Sequence, residues 1–561
     1  MREIITLQLG ELGNYIGNHF WNAQESYFTY DKDDISLVNH DIHWRQGLSP
    51  NGAETYLPRT VIYDFKKSLG TLRKVSPLYE PEDETSNSSK TQELASTLWN
   101  GKAEVHAQDP LASSNYQEAL TSGSTPARPT VKEVRYWSDT TRVYFHPRSL
   151  VPLDDVEITT PKVTSGHWMR GSDLFRELDR EHDLLDRDMR PFVEECDLMQ
   201  GVQVMCSIDD IWAPFATEYV ERMRDEYGKS CVVVWGGQSP DLPSTKNQRL
   251  TRLETKTRAI AEIWSQASLL VPLSAPIMPM QSGYTPDITS FWHLSGLFGT
   301  ALESTTLVSR LTHPKHDTVA SLGDLVGSLN AHGKQTMARL RMTVTKREPS
   351  CAEESGQKLK SPREKNLALR PKDTRDIQHQ DHQRQKRDTY ETEGYEDAEE
   401  KDSLPDLDLD LFDLLGATGA RMRKRNNRVD PTFYTQILSQ RGEARPNLQV
   451  NQYAGSTLGS NSQREYIGRS ITRKYGINLG FPLLDSFPNI YSKGFQGSTK
   501  DVDVDTILST DNTVCEEIRL LKKASLFMVS QEDREGLGNS LLEIVDEYHE
   551  GWSSGSDSDD D

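Results

Sequence analysis

M-R-E-I-I-T-L-Q-L-G-E-L-G-N-Y-I-G-N-H-F-W, residues 1–21, is the stretch that decides the fold. Residues 4–9 form a β-branched, mostly apolar run of strand length that stops at Gly10. Beyond it Leu12, Ile16, Phe20 and Ala23 recur every third or fourth residue. The strand is therefore expected to pass through a glycine turn into a helix, as nucleotide-binding α/β domains begin. In such a turn glycines let backbone N–H groups approach a phosphate at the helix N-terminus. The plainer reading of Gly13 and Gly17 is that they only let the helix lie close on the sheet.

The rest of the chain sets bounds on this start. A length of 561 residues exceeds one ordinary core, so several domains, or one large domain with insertions, are expected. With 35% hydrophobic and 27% charged residues, part of the chain should be disordered. A formal net charge of −21 argues against nonspecific nucleic-acid binding. Cys196, Cys206, Cys231, Cys351 and Cys515 show no C-x-x-C spacing and read as reduced thiols, neither a disulfide framework nor a zinc site. No signal-peptide pattern, transit-peptide composition or membrane-length apolar run is visible; the best apolar run, 269–280, is broken by Pro272, Pro276 and Pro279.

Two further blocks extend the opening pattern. Residues 56–65 supply a second strand, with Asp64 at the end where doubly wound sheets bind ligands; a strand-end carboxylate capping a turn is the plainer reading. Residues 199–208 read as a buried strand, Phe215, Tyr219, Met223 and Tyr227 as a helix face, and 231–235 as another strand. That is a β-α-β unit with a parallel crossover. Between these blocks, 76–129 reads as a surface excursion, 131–149 as strands closing in a proline turn at Pro147, and 172–196 as one or two amphipathic helices. His146 beside Arg148 has no nucleophile or carboxylate at a diagnostic spacing and is read as structural.

The opening string resembles the start of tubulin, with Gly10, Gly13, Asn14 and Gly17 at matching places. Residues 56–64, Y-L-P-R-T-V-I-Y-D, resemble tubulin's Y-V-P-R-A-I-L-V-D, and Gln200, Gly201 and Gln203 with Arg224, Asp225, Glu226 and Tyr227 flank the place of its phosphate loop. The departures fall on the chemistry. Glu11 stands where tubulin has Gln, and Lys66 where an acid helps hold magnesium; an ammonium cannot ligate that metal. Asp209, Asp210, Ile211, Trp212, Ala213, Pro214 and Phe215 replace the glycine loop, so carboxylates, an indole and a residue without an N–H occupy the anion's place.

A scaffold that has lost this chemistry resembles the Misato family, tubulin-like proteins associated with mitochondrial distribution and inheritance. The match spans most of residues 1–311 and includes W-N-G-K-A-E-V-H at 99–106 and W-S-D at 137–139. The resemblance implies a tubulin-like α/β fold with a doubly wound, mainly parallel sheet, and a second α+β domain. It also implies a non-enzymatic protein, without catalytic or metal-binding residues, acting at the mitochondrial outer surface and in the cytoplasm through outer-surface proteins or lipids. Two rivals stand beside it: a GTP-binding or GTP-hydrolysing protein using Gly10, Gly13 and Asn14, and a structural partner of tubulin, microtubules or the tubulin-folding chaperonin. On the first reading Glu11, Asp209 and Asp210 crowd one anion site with Lys66 as the one obvious cation, and no nucleotide cofactor is expected. Glu262 lies near the place of tubulin's catalytic acid but lacks its N-x-D context, and reads as solvated or helix-capping.

The expected domains are 1–240, the nucleotide-domain fold; 241–345, an intermediate-domain region with helices at 260–270 and 291–311; 346–404, a disordered charged insertion; 405–550, a partly helical C-terminal region; and 551–561, an acidic tail. Within these, the acidic-apolar run 405–415 and the basic run Arg421, Arg423, Lys424, Arg425 and Arg428 read as solvated linker, with partner or lipid docking as the alternative.

Overall fold

A computed structural model describes residues 2–29, 36–48, 52, 54–72, 111–154, 167–240, 242, 244–276, 286–312, 320–330, 335–345, 407–416, 432–442, 471–491, 501–525 and 531–548. The insertion 346–404, the excursion at 76–110, the 421–428 basic run and the 551–561 tail lie outside the described residues.

Strands β1 (Glu3–Leu9), β2 (Trp44–Leu48), β3 (Glu54–Pro58), β4 (Thr60–Phe65), β5 (Leu150–Leu153), β6 (Met199–Ser207), β7 (Cys231–Gly237) and β8 (Leu269–Leu273) make up the first half. Six form one parallel sheet in the order β5-β4-β1-β6-β7-β8. The four strands expected from sequence are neighbours in it. Helices cover both faces, which is why β1 and β6 read as nearly continuous apolar runs. The order turns at β1 and β6: β4 and β5 extend to one side, β7 and β8 to the other. The crevice outside the carboxyl ends of β1 and β6 is thus the topological switch point, where such sheets bind ligands.

Several boundaries differ from expectation. Residues 56–65 are two strands broken at Arg59, because β3 turns away to pair with β2 in a hairpin. Residues 131–149 are not strands; they hold only the 3-10 turn Trp137–Thr140, whose polar groups are taken by helix α1 (Gly10–Glu25). Asn18 donates to the Trp137 carbonyl at 2.9 Å and Asn22 to that of Thr140 at 2.9 Å. Among its described residues the excursion contains a short helix, α2 (Asn115–Thr121). Helices α3 (His167–His182) and α4 (Arg190–Glu194) answer to the charged stretch at 172–196. After α5 (Trp212–Glu226), helix α6 (Lys246–Gln266) ends before the expected 270, and β8 follows as the edge of the first sheet. The nucleotide-domain sheet therefore runs past 240.

Helix α7 (Phe291–Thr306) is buried on all sides, between α1 and a second sheet. Its Thr300, Thr305 and Thr306 hydroxyls satisfy themselves on carbonyls four residues back. Beyond the short α8 (Leu322–Leu329), β9 (Arg339–Thr345) enters that sheet, whose order is β10-β9-β14-β11-β12 with β10 (Leu407–Asp410), β11 (Phe433–Arg441), β12 (Ile471–Ile477) and β14 (Asp501–Asp511). A two-residue strand, β13 (Phe481–Pro482), pairs with β14. Among the described residues the C-terminal region is thus strand-rich before the helices α9 (Thr513–Ser525) and α10 (Gln531–Glu547).

The acidic-apolar run is not linker. Leu407 and Leu409 point into the core while Asp408 is exposed, and Leu411, Leu414 and Leu415 are buried beyond the strand. Alternation of Leu and Asp is the strand period, with one face apolar. Glu303, Arg310 and Arg441 are buried together where α1, α7 and the second sheet meet. Arg310 Nη2 lies 2.7 Å from Glu303 Oε2 and Arg441 Nη1 3.7 Å from Oε1, with all three side chains fully excluded from solvent.

Candidate functional site

The switch point is filled by the protein itself. Gly10 has φ +73°, so the chain leaves β1 through a left-handed residue, and a Cβ there would lie 2.2 Å from Trp212 Cδ1. The indole sits directly on the turn, 4% exposed, with Phe65 at 4.9 Å and Phe215 at 5.4 Å between ring centroids. Asp210 Oδ1 accepts the Trp212 N–H at 2.8 Å, taking a helix-start donor that an anion would need. Pro214 supplies none. A phosphate does not fit these residues: an indole fills its space, and the Trp212 and Ala213 N–H groups are already bonded to Asp210.

Gly13 and Gly17 serve close packing. A Cβ on Gly13 would stand 2.3 Å from the Met205 carbonyl, and one on Gly17 2.1 Å from Gln8 Nε2. Asn14 donates to Asp64 Oδ2 at 2.8 Å and to the Tyr63 carbonyl at 3.2 Å. Asp64, fully buried, also accepts from Trp137 Nε1 at 3.0 Å and from the Phe65 N–H at 2.8 Å. Burial pushes its carboxyl up to about 7 against those three hydrogen bonds.

The charge crowding expected from sequence does not form. Asp209 turns away from the mouth onto Arg252, whose Nη2 and Nε lie 2.6 and 3.2 Å from Oδ2, while Ser239 donates to Oδ1 from N–H and Oγ at 3.1 and 2.8 Å. Lys66 is not the local cation either; it is exposed and paired with Asp154. Of the three carboxylates expected there, Asp210, raised to about 6 chiefly by burial, and Glu11, which is exposed, stay at the mouth. The anion is thus opposed by shape and spent donors more than by like charge, because a paired Asp209 contributes little repulsion. Glu262 lies exposed on α6, four residues before the end of the helix.

Three residues of this region were missed in sequence. Arg252 and Lys256 lie four apart on one face of α6, a spacing that could have marked them as a pair. Buried Lys256 donates to Gln238 Oε1 at 2.9 Å, and Gln238 to the Asp413 carbonyl at 2.6 Å, so the wall of the mouth is stitched to the segment after β10. Trp137, fully buried, stands in the W-S-D match, but its partner Asp64 is 73 residues away and no local pattern ties the two.

A doubly wound sheet and a buried central helix leading to a second sheet, with the nucleotide mouth closed from within, define a tubulin-like protein. Residues 126–311 match a family model described as a tubulin domain, and residues 2–122 one described as the Misato segment II tubulin-like domain. Protein DML1 of Gibberella zeae is 40% identical over 561 residues and protein dml-1 of Neurospora crassa 40% over 569, both with the whole of each chain covered. Protein misato homolog 1 of Pongo pygmaeus is 27% identical over 55% of this chain and 60% of its own length. The chain belongs to the Misato family.

Proposed function

We propose that this protein is a non-enzymatic, tubulin-like scaffold for the partitioning of mitochondria and the inheritance of mitochondrial DNA, working from the cytoplasm at the mitochondrial outer surface. Membership of the Misato family supports the process. Trp212 seated on Gly10 is the observation that supports the absence of nucleotide chemistry. Among the described residues no helix is long and apolar enough to cross a membrane, and no group of His, Cys, Asp and Glu could hold a metal ion. Attachment on this reading is peripheral, through outer-surface proteins or lipids.

The test is GTP binding by the purified chain, with and without magnesium, beside mitochondrial segregation in cells carrying Trp212 variants. The expected affinity is millimolar or weaker, unaffected by magnesium, and Asp209→Gly or Trp212→Gly alone does not restore it. Tight, magnesium-dependent binding would replace this reading with a working nucleotide switch. Co-sedimentation with microtubules, or retention on the tubulin-folding chaperonin, would favour the structural-partner alternative.

A further inference from the structure

Arg59, at the break between β3 and β4, is only 8% exposed, yet its Nε and Nη1 have no hydrogen-bond partner, and it forms no ion pair among the described residues. Its backbone is fixed on both sides. The N–H donates to the His43 carbonyl at 2.7 Å, and the carbonyl accepts from the Thr6 N–H at 2.9 Å. A guanidinium cannot escape burial by losing its proton, and a buried charge ordinarily has a partner. An arginine at the amino edge of a parallel sheet faces helix C-termini, here that of α4, and could serve by bonding their last carbonyls. The unpartnered Nε and Nη1 show that it does not.

The register brings a second unsatisfied group beside it. Ile62 pairs with Leu150, so Ser149 stands next to Val61, and Arg59 is two residues before Val61 on the same face. On that face Val61 and Val151 are buried together with Phe192 of α4. The Ser149 hydroxyl is fully buried and bonded to nothing. Two more guanidiniums rim the place. Arg45, opposite Leu57 in the hairpin, and exposed Arg148, next to Ser149, both act on the His146 ring, which burial and these charges hold down to about 4. The acids nearby are engaged elsewhere or face water. Cys196 senses Arg59 together with Glu3, Glu195 and Asp197; Glu3 accepts the Leu198 N–H at 3.0 Å, Glu195 is paired with Arg45 at 2.9 Å, and Asp197 is exposed.

A fork of N–H donors beside a hydroxyl, with further guanidiniums at the rim, suits an oxyanion, and a phosphate group has the charge and the number of acceptor oxygens to engage donors from several sides. We propose that Arg59 and Ser149, with Arg45 and Arg148 at the rim, form a binding site for a phosphate group at the amino ends of β4 and β5. The site lies at the opposite edge of the sheet from the closed nucleotide mouth. It does not rest on the mitochondrial reading, since soluble phosphate and an anionic lipid headgroup present the same chemistry.

Equilibrium dialysis of the full-length chain against radiolabelled inorganic phosphate tests this, beside flotation with phosphatidylcholine vesicles made with and without phosphatidic acid, all at constant ionic strength. Saturable phosphate binding without flotation identifies a soluble ligand. Flotation with the phosphatidic acid vesicles alone, reversed by added phosphate, identifies a headgroup. In either case Arg59→Met should weaken binding by about tenfold or more, because charged hydrogen bonds are lost. Absence of saturable binding in both arms, or binding unchanged in Arg59→Met, overturns the proposal. Should Arg59→Met not fold, Ser149→Ala provides the second reading: it removes a hydroxyl bonded to nothing in the chain, so the fold is kept, and affinity should fall about two- to tenfold. An affinity unchanged in Ser149→Ala would then refute the site.

Discussion

A double-mutant cycle on Gly10 and Trp212 measures the closure of the mouth directly. Gly10→Ala places a methyl group 2.2 Å from Trp212 Cδ1 at a residue with φ +73°. The left-handed conformation costs an L-residue about 1–2 kcal/mol. Forcing carbon into a filled site costs about 1–3 kcal/mol more, because indole and backbone must shift. The single change should therefore destabilise by about 2–5 kcal/mol, a large share of the about 5–15 kcal/mol by which proteins are stable. Trp212→Ala alone should cost about 3–5 kcal/mol, as a buried aromatic is lost and a cavity left. In that cavity the methyl group added by Gly10→Ala meets no ring, so only the backbone strain remains. The expected coupling is about 1–3 kcal/mol, read from urea midpoints and slopes of the four proteins. Additivity within about 0.5 kcal/mol would show that the indole does not rest on the turn, and the argument from shape against a nucleotide would fall with it.

Other expectations rest on particular contacts. Glu303→Gln strips the carboxylate from buried Arg310 and Arg441 and should cost about 3–5 kcal/mol in chemical denaturation, with Arg441→Met recovering part of the loss; a loss below about 1 kcal/mol would show that the guanidinium groups are held otherwise. Arg252→Met leaves Asp209 with Ser239 alone; since Arg252 is 23% exposed at its side chain, about 1–3 kcal/mol is expected, checked by urea midpoints against Arg252→Lys. Leu407 pairs with Val344 in an antiparallel ladder, so the described residues that flank 346–405 stand side by side. Replacing that segment by Asn-Gly should leave the calorimetric Tm unchanged or raise it, as loop-closure entropy favours the shorter loop by up to about 3 kcal/mol. A fall of more than about 5 °C would mean the insertion contributes packing.

The parts of the fold legible in the chain are those whose signal is local. β1, β4, β6 and β7 announce themselves as apolar runs because a parallel sheet is buried on both faces, and the glycine turn at Gly10 because a left-handed residue tolerates few alternatives. β8 was absorbed into the preceding helix pattern: Ile260, Ile263, Leu269 and Leu270 are apolar in either conformation, and short apolar runs carry no decisive period. Residues 131–149 alternate like strands, yet their polar groups bond to Asn18 and Asn22, more than a hundred positions away.

At the site, the residues alone determined that no glycine loop exists between β6 and α5, and that Asp209, Asp210 and Trp212 stand in its place. They did not determine which way those side chains turn. The partners that decide it, Arg252 and Ser239 for Asp209, the Gly10 turn for Trp212, and Trp137 with Asn14 for Asp64, converge only when the sheet brings strand ends together. The same holds for the Leu-Asp run. Its alternation is written in the chain, but whether that apolar face meets a partner or β9 depends on long-range pairing, because hydrophobic burial has magnitude without direction.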